Sequence, residues 1–217
     1  MRRPMFRGVI VLALAAATGA ACSKSTPSTP VTPTPSATTE TFTGSLPVNG
    51  ALTFPFVVTQ AGSANASISA LDPDVIVATK ANGTGSFRVG ELVYQGTSFD
   101  AGTLKATVFS WNPPTLGAST GSLLLRDFTG GFTADAAIVG VDSGASWTVS
   151  TVDTLVIGVA LGTWSGTTCS IVLANDVSSA GSSVTGQVQG AGSLCARVYD
   201  VGKLTMPATF TIEVTHF

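Results

Sequence analysis

From Thr41 to the C-terminus one pattern repeats: apolar and polar residues alternate for a few positions, a turn residue interrupts, and the alternation resumes. A β-strand points successive side chains to opposite faces, so this period of two predicts half-buried strands. Leu52, Phe54, Phe56 and Val58 alternate with Thr53, Pro55, Val57 and Thr59, and Ala64, Ala66, Ile68 and Ala70 with Asn65, Ser67 and Ser69. At the far end Phe210, Ile212 and Val214 share one face, and Thr209, Thr211, Glu213 and Thr215 the other. Pro55 has no N–H to give a ladder, which predicts an edge strand or a bulge there. Residues 104–109, 123–125, 137–141 and 147–152 continue the series, separated by breaks such as Asn82-Gly83, Gly96-Thr97 and Gly130-Gly131. The run 155–161 (LVIGVAL) is apolar on both faces and predicts a central strand covered on both sides. After residue 22 no stretch of twelve residues has helical apolar spacing, so no crossover helices are on offer for a parallel sheet. The expectation is all-β: an antiparallel β-sandwich of about ten to twelve strands.

Composition narrows the class further. The 217 residues are 44% apolar and 10% charged, yet no apolar run reaches the ~18 residues a spanning helix needs, which argues against a polytopic membrane protein. Counterion release on nucleic acid requires clustered Lys and Arg, and the chain has no such cluster outside its first residues. Nucleic acid is therefore not an expected partner.

Those first residues read as an export signal. Residues 1–21 open with Arg2, Arg3 and Arg7, run through an apolar stretch, and end in small residues before Cys22. Removing the three arginines takes the formal charge from −2 to −5. Gly19-Ala20-Ala21-Cys22 resembles a bacterial lipoprotein cleavage box, with Gly19 where a leucine is common, and Cys22 is the lipidation candidate. Acyl chains on that cysteine would make a stable membrane anchor at ~0.8 kcal/mol per buried methylene. Ser23 after it, rather than Asp, resembles outer-membrane sorting in enterobacterial lipoproteins. The expected location is the bacterial cell envelope. Residues 22–40 form a spacer: from Ser23 to Glu40, fourteen of eighteen residues are Ser, Thr or Pro, which excludes helix and sheet. At ~3.1 Å per residue such a stalk extends roughly 55 Å. The folded region expected beyond it is 41–217.

With Cys22 spent on lipid, Cys169 and Cys195 remain as an even pair in an oxidising compartment, which predicts a disulfide.

The C-terminal third, 153–217, carries VIGVALGTWSGTTC and then GQVQGAGSLCARVYDVGKLTMPATFTIEVTH. It resembles the bacterial pre-peptidase C-terminal-like sandwich domains, including a second cysteine ahead of a strand ending Tyr199-Asp200-x-Gly202. Residues 41–74 resemble that family's first strands. The resemblance implies a jelly-roll-like sandwich serving adhesion, targeting or secretion rather than catalysis. Residues 75–152 have no counterpart in the pattern; they read either as an insertion of extra strands or as a degenerate duplication, since 144–150 weakly echo 62–68.

Reactive constellations are scarce. The sole histidine, His216, lies next to last and reads as a strand-end surface imidazole, without the rigid surroundings that acid/base catalysis needs. Gly162-Thr163-Trp164-Ser165-Gly166 lacks the strand-to-helix setting of a nucleophile elbow. Asp72 and Asp74 flank Pro73 at a turn, the kind of loop from which calcium sites draw ligands, but no third acid stands nearby in sequence and the simpler reading is turn formation. Asp200 reads as a turn acceptor. Trp147 alternates with Val149 and reads as core, whereas Trp111, before Asn112-Pro113-Pro114, and Trp164 read as turn residues and candidate glycan-stacking positions. No catalytic residue, cofactor or metal is expected. The expected function is a non-catalytic envelope lipoprotein whose head serves adhesion, binding or an accessory role. Its partners are the membrane through the anchor and a glycan or an envelope or matrix protein. The alternative is a carbohydrate- or calcium-dependent binding module associated with a secreted hydrolase.

Overall fold

The alternating segments become fourteen strands in a computed structural model that describes residues 36–100 and 104–217. The export segment, Cys22 and the spacer up to residue 35 lie outside the described residues. In chain order β1 (Thr38–Leu46), β2 (Ala51–Val58) and β3 (Gly62–Asp72) come first. Then follow β4 (Val75–Lys80), β5 (Leu92–Gln95), β6 (Leu104–Asn112), β7 (Thr120–Thr129), β8 (Ala137–Gly140) and β9 (Ser146–Thr154). The chain ends with β10 (Ile157–Trp164), β11 (Cys169–Ser178), β12 (Ser183–Val188), β13 (Gly192–Tyr199) and β14 (Ala208–His216). Thr38, Thr39 and Glu40 belong to β1 and not to the spacer, because each pairs with the last strand, opposite His216, Thr215 and Val214.

Two four-stranded antiparallel sheets, β1-β14-β3-β12 and β11-β10-β13-β2, pack face to face as a sandwich. Their shared core takes Ala64, Ala66, Ile68, Phe210, Ile212 and Val214 from one sheet and Ile157, Val159, Leu161, Ala196 and Val198 from the other. The LVIGVAL run supplies β10, flanked by β11 and β13 and buried from Ile157 to Gly162. Its second face carries Gly158, Ala160 and Gly162, with Trp164 at the strand's end. Gly158 leaves room for the Tyr199 ring, which a Cβ at 158 would penetrate. Pro55 sits on β2, an edge strand, where its missing N–H costs no ladder bond. One phase differs from the alternation: a bulge between Ile68 and Ala70, opposite Ile212 and Thr211, turns Ala70 outward and brings Leu71 into the core.

The segment without a counterpart in the resemblance adds no strand to either sheet. Strands β4 to β9 pair only with one another, in the order β4-β7-β6-β5-β8-β9, and β9 closes on β4 to complete a six-stranded barrel. Val77, Val93, Val108, Leu123, Leu125, Ile138 and Val149 fill it, all fully buried. On the outside of β4, Ile76 packs against the sandwich core, and Leu124, its cross-strand neighbour, is 2% exposed.

At one end of the barrel Gly83 lies against the face of Trp147. That indole is fixed, its Nε1–H donating to the Gly85 carbonyl at 3.1 Å and its ring 5.1 Å from that of Trp111. A methyl at 83 would overlap the ring, so Gly83→Ala is expected to destabilise by about 1–3 kcal/mol. Denaturant unfolding followed by tryptophan fluorescence measures this; a loss within 0.5 kcal/mol (roughly the scatter of neutral surface changes) would mean that the loop relaxes freely.

Candidate functional site

The two glycan-stacking candidates stand on different sheets, Trp111 in the barrel and Trp164 in the sandwich. Trp111 is inside β6 rather than in the following turn; its ring packs half-buried against the barrel core, edge-on to Phe87 at 5.1 Å and beside Trp147. Its Nε1 is enclosed without a hydrogen-bond partner. Trp164 is the last residue of β10, paired with Cys169, in the sandwich. The proline pair after Trp111 and the glycines around Trp164 suggest turns, but ladder pairing carries both strands up to the tryptophans.

Two of the acidic residues, Asp200 and Glu91, are held chiefly by backbone N–H groups. Asp200 accepts four backbone N–H groups: Asn49 at 2.8 Å, Gly202 at 2.8 Å, Lys203 at 2.9 Å and Leu204 at 3.2 Å. Partial burial pushes its carboxyl up, but these four donors outweigh burial and hold it below the usual aspartate range. Glu91, which the sequence reading did not single out, does the same in the barrel. It is 4% exposed and accepts Arg88 N–H and Ser143 Oγ–H at 2.7 Å on one oxygen, Ser143 N–H at 2.9 Å and Asp142 N–H at 3.2 Å on the other. Burial raises this carboxyl; the four hydrogen bonds win and leave it lowered. A glutamate directly after a loop glycine, with a Ser in a later Asp-Ser-Gly turn, was the available signal, and it was too common to read.

Asp72 closes β3, and Asp74 lies between β3 and β4. Asp74 accepts the Phe128 N–H at 3.2 Å and has its other oxygen enclosed without a partner. Both carboxyls are raised, first by burial; the neighbouring charge of Asp127 adds to this for both, and Asp72 acts on Asp74. Among the described residues no group of three or more His, Cys, Asp or Glu is arranged to hold a metal ion. His216 differs from the surface imidazole expected. It is 4% exposed, its Nε2 lies 2.9 Å from Glu40 Oε1, and its ring lies 5.1 Å from that of Phe56. The cause is alternation: residue 216 falls on the inward phase of β14.

Cys169 and Cys195 form the disulfide, with Cα atoms 5.9 Å apart, and tie β11 to β13, the two strands that flank β10.

The surface that remains unexplained by packing is β11. It is an edge strand, paired only with β10. Ile171, Val172, Leu173 and Val177 are 46%, 69%, 40% and 71% exposed, four of the ten large hydrophobic side chains exposed among the described residues. Val172 and Val177 each stand at a register irregularity against β10, where an extra residue in the ladder points a side chain out of phase, while Ile171 and Leu173 are in regular pairing with Gly162 and Leu161. Val172 and Leu173 border a groove of about 240 Å³ between the sheets, floored by Leu161 and Leu194 and rimmed opposite by Gly186 and Val188. At the other end Asp176 and Val177 border a hollow of about 440 Å³ with Tyr199 and Lys203, where the Tyr199 hydroxyl donates to Asp176. The three successive apolar residues 171–173 were the readable sign of a non-alternating strand.

Comparison with known protein families, curated proteins and solved structures finds no match to this chain.

Two outcomes follow from this geometry. A carboxyl lowered in the folded state contributes stability that is present above its unfolded pKa and lost as pH falls through the folded one. The stability that Glu91 contributes is therefore expected to decline as pH drops below about 4.5, against the opposite contribution of the raised Asp72 and Asp74, with Glu91→Gln less stable at pH 7 and its acid decline shallower than the native protein's. Urea midpoints from pH 7 to pH 3 test this; parallel curves would remove Glu91 from the acid response. Replacing both Cys169 and Cys195 by serine releases a loop of sequence separation 26, with an expected loss of about 3–4 kcal/mol in the chain-entropy account. An unchanged midpoint in reductant-free buffer would contradict it.

Proposed function

We propose that the protein is a non-catalytic lipoprotein of the bacterial cell envelope, a β-sandwich head carried on a Ser/Thr/Pro spacer and anchored through Cys22. The head serves adhesion, envelope binding or an accessory role beside a secreted enzyme. The resemblance of 41–74 and 153–217 to pre-peptidase C-terminal-like domains points the same way. One observation supports the reading: the two carboxylates with the most hydrogen bonds, Glu91 and Asp200, are each occupied by four donors that fasten turns. Catalytic acids and bases need a free proton-transfer position near neutral pH, and a lowered, fully bonded carboxylate offers none.

The alternative, a carbohydrate- or calcium-dependent module, leaned on Trp111 with Trp164 and on Asp72 with Asp74, and no observation above favours it. Metabolic labelling with a palmitate analogue in a bacterial host tests the anchor: the full chain is expected to label and to fractionate with membranes, and Cys22→Ser to do neither. Unlabelled, soluble protein would overturn the lipoprotein reading. Binding of the full chain to envelope polysaccharide that disappears with chelator, or on Trp164→Ala, would replace it by the alternative.

A further inference from the structure

We propose that the end of the barrel where Phe87, Trp111 and Trp147 meet binds a neutral aromatic carbonyl compound, a flat ring carrying one C=O, and that Phe87 is the plug this ligand replaces. The site lies in the segment without a counterpart in the resemblance, and it rests neither on the lipid anchor nor on the adhesive role.

Two polar atoms point to a ligand. A buried donor or acceptor normally finds a partner, so one without a partner needs an explanation. Inside the barrel Thr79 Oγ1 and Trp111 Nε1 are enclosed with none. Thr79 is 0% exposed and follows Val75 and Val77 on the inward phase of β4. Both atoms belong to the same end: Thr79 is the ladder partner of Gly121 and Val149, and Trp111 that of Leu123, two residues along β7 from Gly121. Glu91 and Gln95, the other buried polar side chains of the barrel, are already bonded to loop backbone.

The surroundings of those atoms select the ligand. β6 and β9 are opposite strands of the six, and the rings of Trp111 and Trp147 meet across the barrel at 5.1 Å. Trp147 spends its own Nε1–H on the Gly85 carbonyl. Phe87, Ala145 and Val149 pack in the same cluster, and none of these residues is charged, so a charged ligand finds no counter-ion. Apolar, aromatic walls with a few polar groups at the mouth of a β-barrel are a usual setting for small ligands. An indole N–H only donates and a hydroxyl also can, whereas a carbonyl oxygen offers two lone pairs. One C=O therefore answers both enclosed atoms, and a flat ring suits the tryptophan faces.

Phe87 is held differently from its neighbours between β4 and β5. Thr84 and Ser146 exchange two backbone hydrogen bonds at 2.9 Å, and the Arg88 N–H donates to Glu91 Oε1 at 2.7 Å. Between these anchors Ser86 and Phe87 make no hydrogen bond among the described residues. Gly85 precedes them with a left-handed φ of 75°. What seats this stretch is the Phe87 ring, 6% exposed and edge-on to Trp111 at 5.1 Å. A ligand ring can take its place while the anchors on either side stay closed.

The test titrates the full chain with acetophenone, and with ethylbenzene as the matching ring without a carbonyl. The readout is the indole N–H resonances of the three tryptophans, assigned through Trp111→Phe and Trp164→Phe. Acetophenone is expected to shift the Trp111 resonance saturably and to leave that of Trp164 in place, with ethylbenzene binding about tenfold more weakly for want of the hydrogen bonds. Thr79→Val should weaken acetophenone about tenfold, and Phe87→Ala, which vacates the ring's place, should tighten it about tenfold. Phe87→Leu should move affinity in the same direction by less, and urea midpoints show which variants are folded. No saturable shift in the native chain or in Phe87→Leu, equal affinity for ethylbenzene, or native affinity in folded Thr79→Val would each overturn the proposal. So would a water cross-peak to the Trp111 indole proton that persists at the highest acetophenone concentration, because the enclosed atoms would then hold a buried water only.

Discussion

The architecture depends on one joint, where the chain leaves the sandwich for the barrel and comes back. Val75 and Thr154 are ladder partners, the Leu155 N–H donates to the Asp74 carbonyl at 2.8 Å, and the Asp74 N–H donates to the Leu125 carbonyl at 2.9 Å. Entry and exit therefore sit one strand spacing apart, although β3 and β10 belong to different sheets. A long excursion costs little loop entropy once its ends are held together, and the β4–β9 pairing holds them by the same bonds that close the barrel. Ile76 completes the joint from the barrel's outer face; burying such a side chain is worth about 1.5–3 kcal/mol. Asp74 is the weak element of this joint, with one oxygen bonded to Phe128 N–H and the other enclosed without a partner, so its charge is disfavoured where the backbone around it is most needed.

Turns elsewhere are held by a different means. Backbone N–H groups leaving a strand have lost their ladder partners and must find acceptors if water does not reach them. Asp200 collects Gly202, Lys203 and Leu204 from its own loop and Asn49 from the β1–β2 turn, where Asn49 adopts a left-handed φ of 56°. Gln95 serves Thr133 in the barrel with both ends of its amide, at 2.9 and 2.7 Å. A chain with few charged residues thus places several of them, and one amide, as fasteners between loops distant in sequence.

Strands were legible because alternation is a local property. β2, β14 and the doubly buried β10 stand where period and apolarity predict, and the disulfide pairs the two cysteines left once Cys22 is set aside. Closure of the barrel was not legible, since it rests on Val75 meeting Thr154 across the whole excursion, and no local pattern encodes that register. The bulges were equally hidden: Ala70 and Val172 have neighbours that look regular, and only the partner strand reveals the extra residue. The tryptophans misled because turn residues follow them closely, yet a strand continues until pairing ends.

The same distinction separates two kinds of apolar residue on β11. Leu173 pairs with Leu161 and meets the groove beside Gly186, so covering the open side of the sandwich accounts for it. Val172 and Val177 have no such duty. Each stands at an irregularity, more than two-thirds exposed, where a polar residue would cost the core nothing. An isolated exposed valine needs no explanation. Two of them on an edge strand whose one charge is Asp176, with a hollow beside each, form a surface whose chemistry is that of an interior.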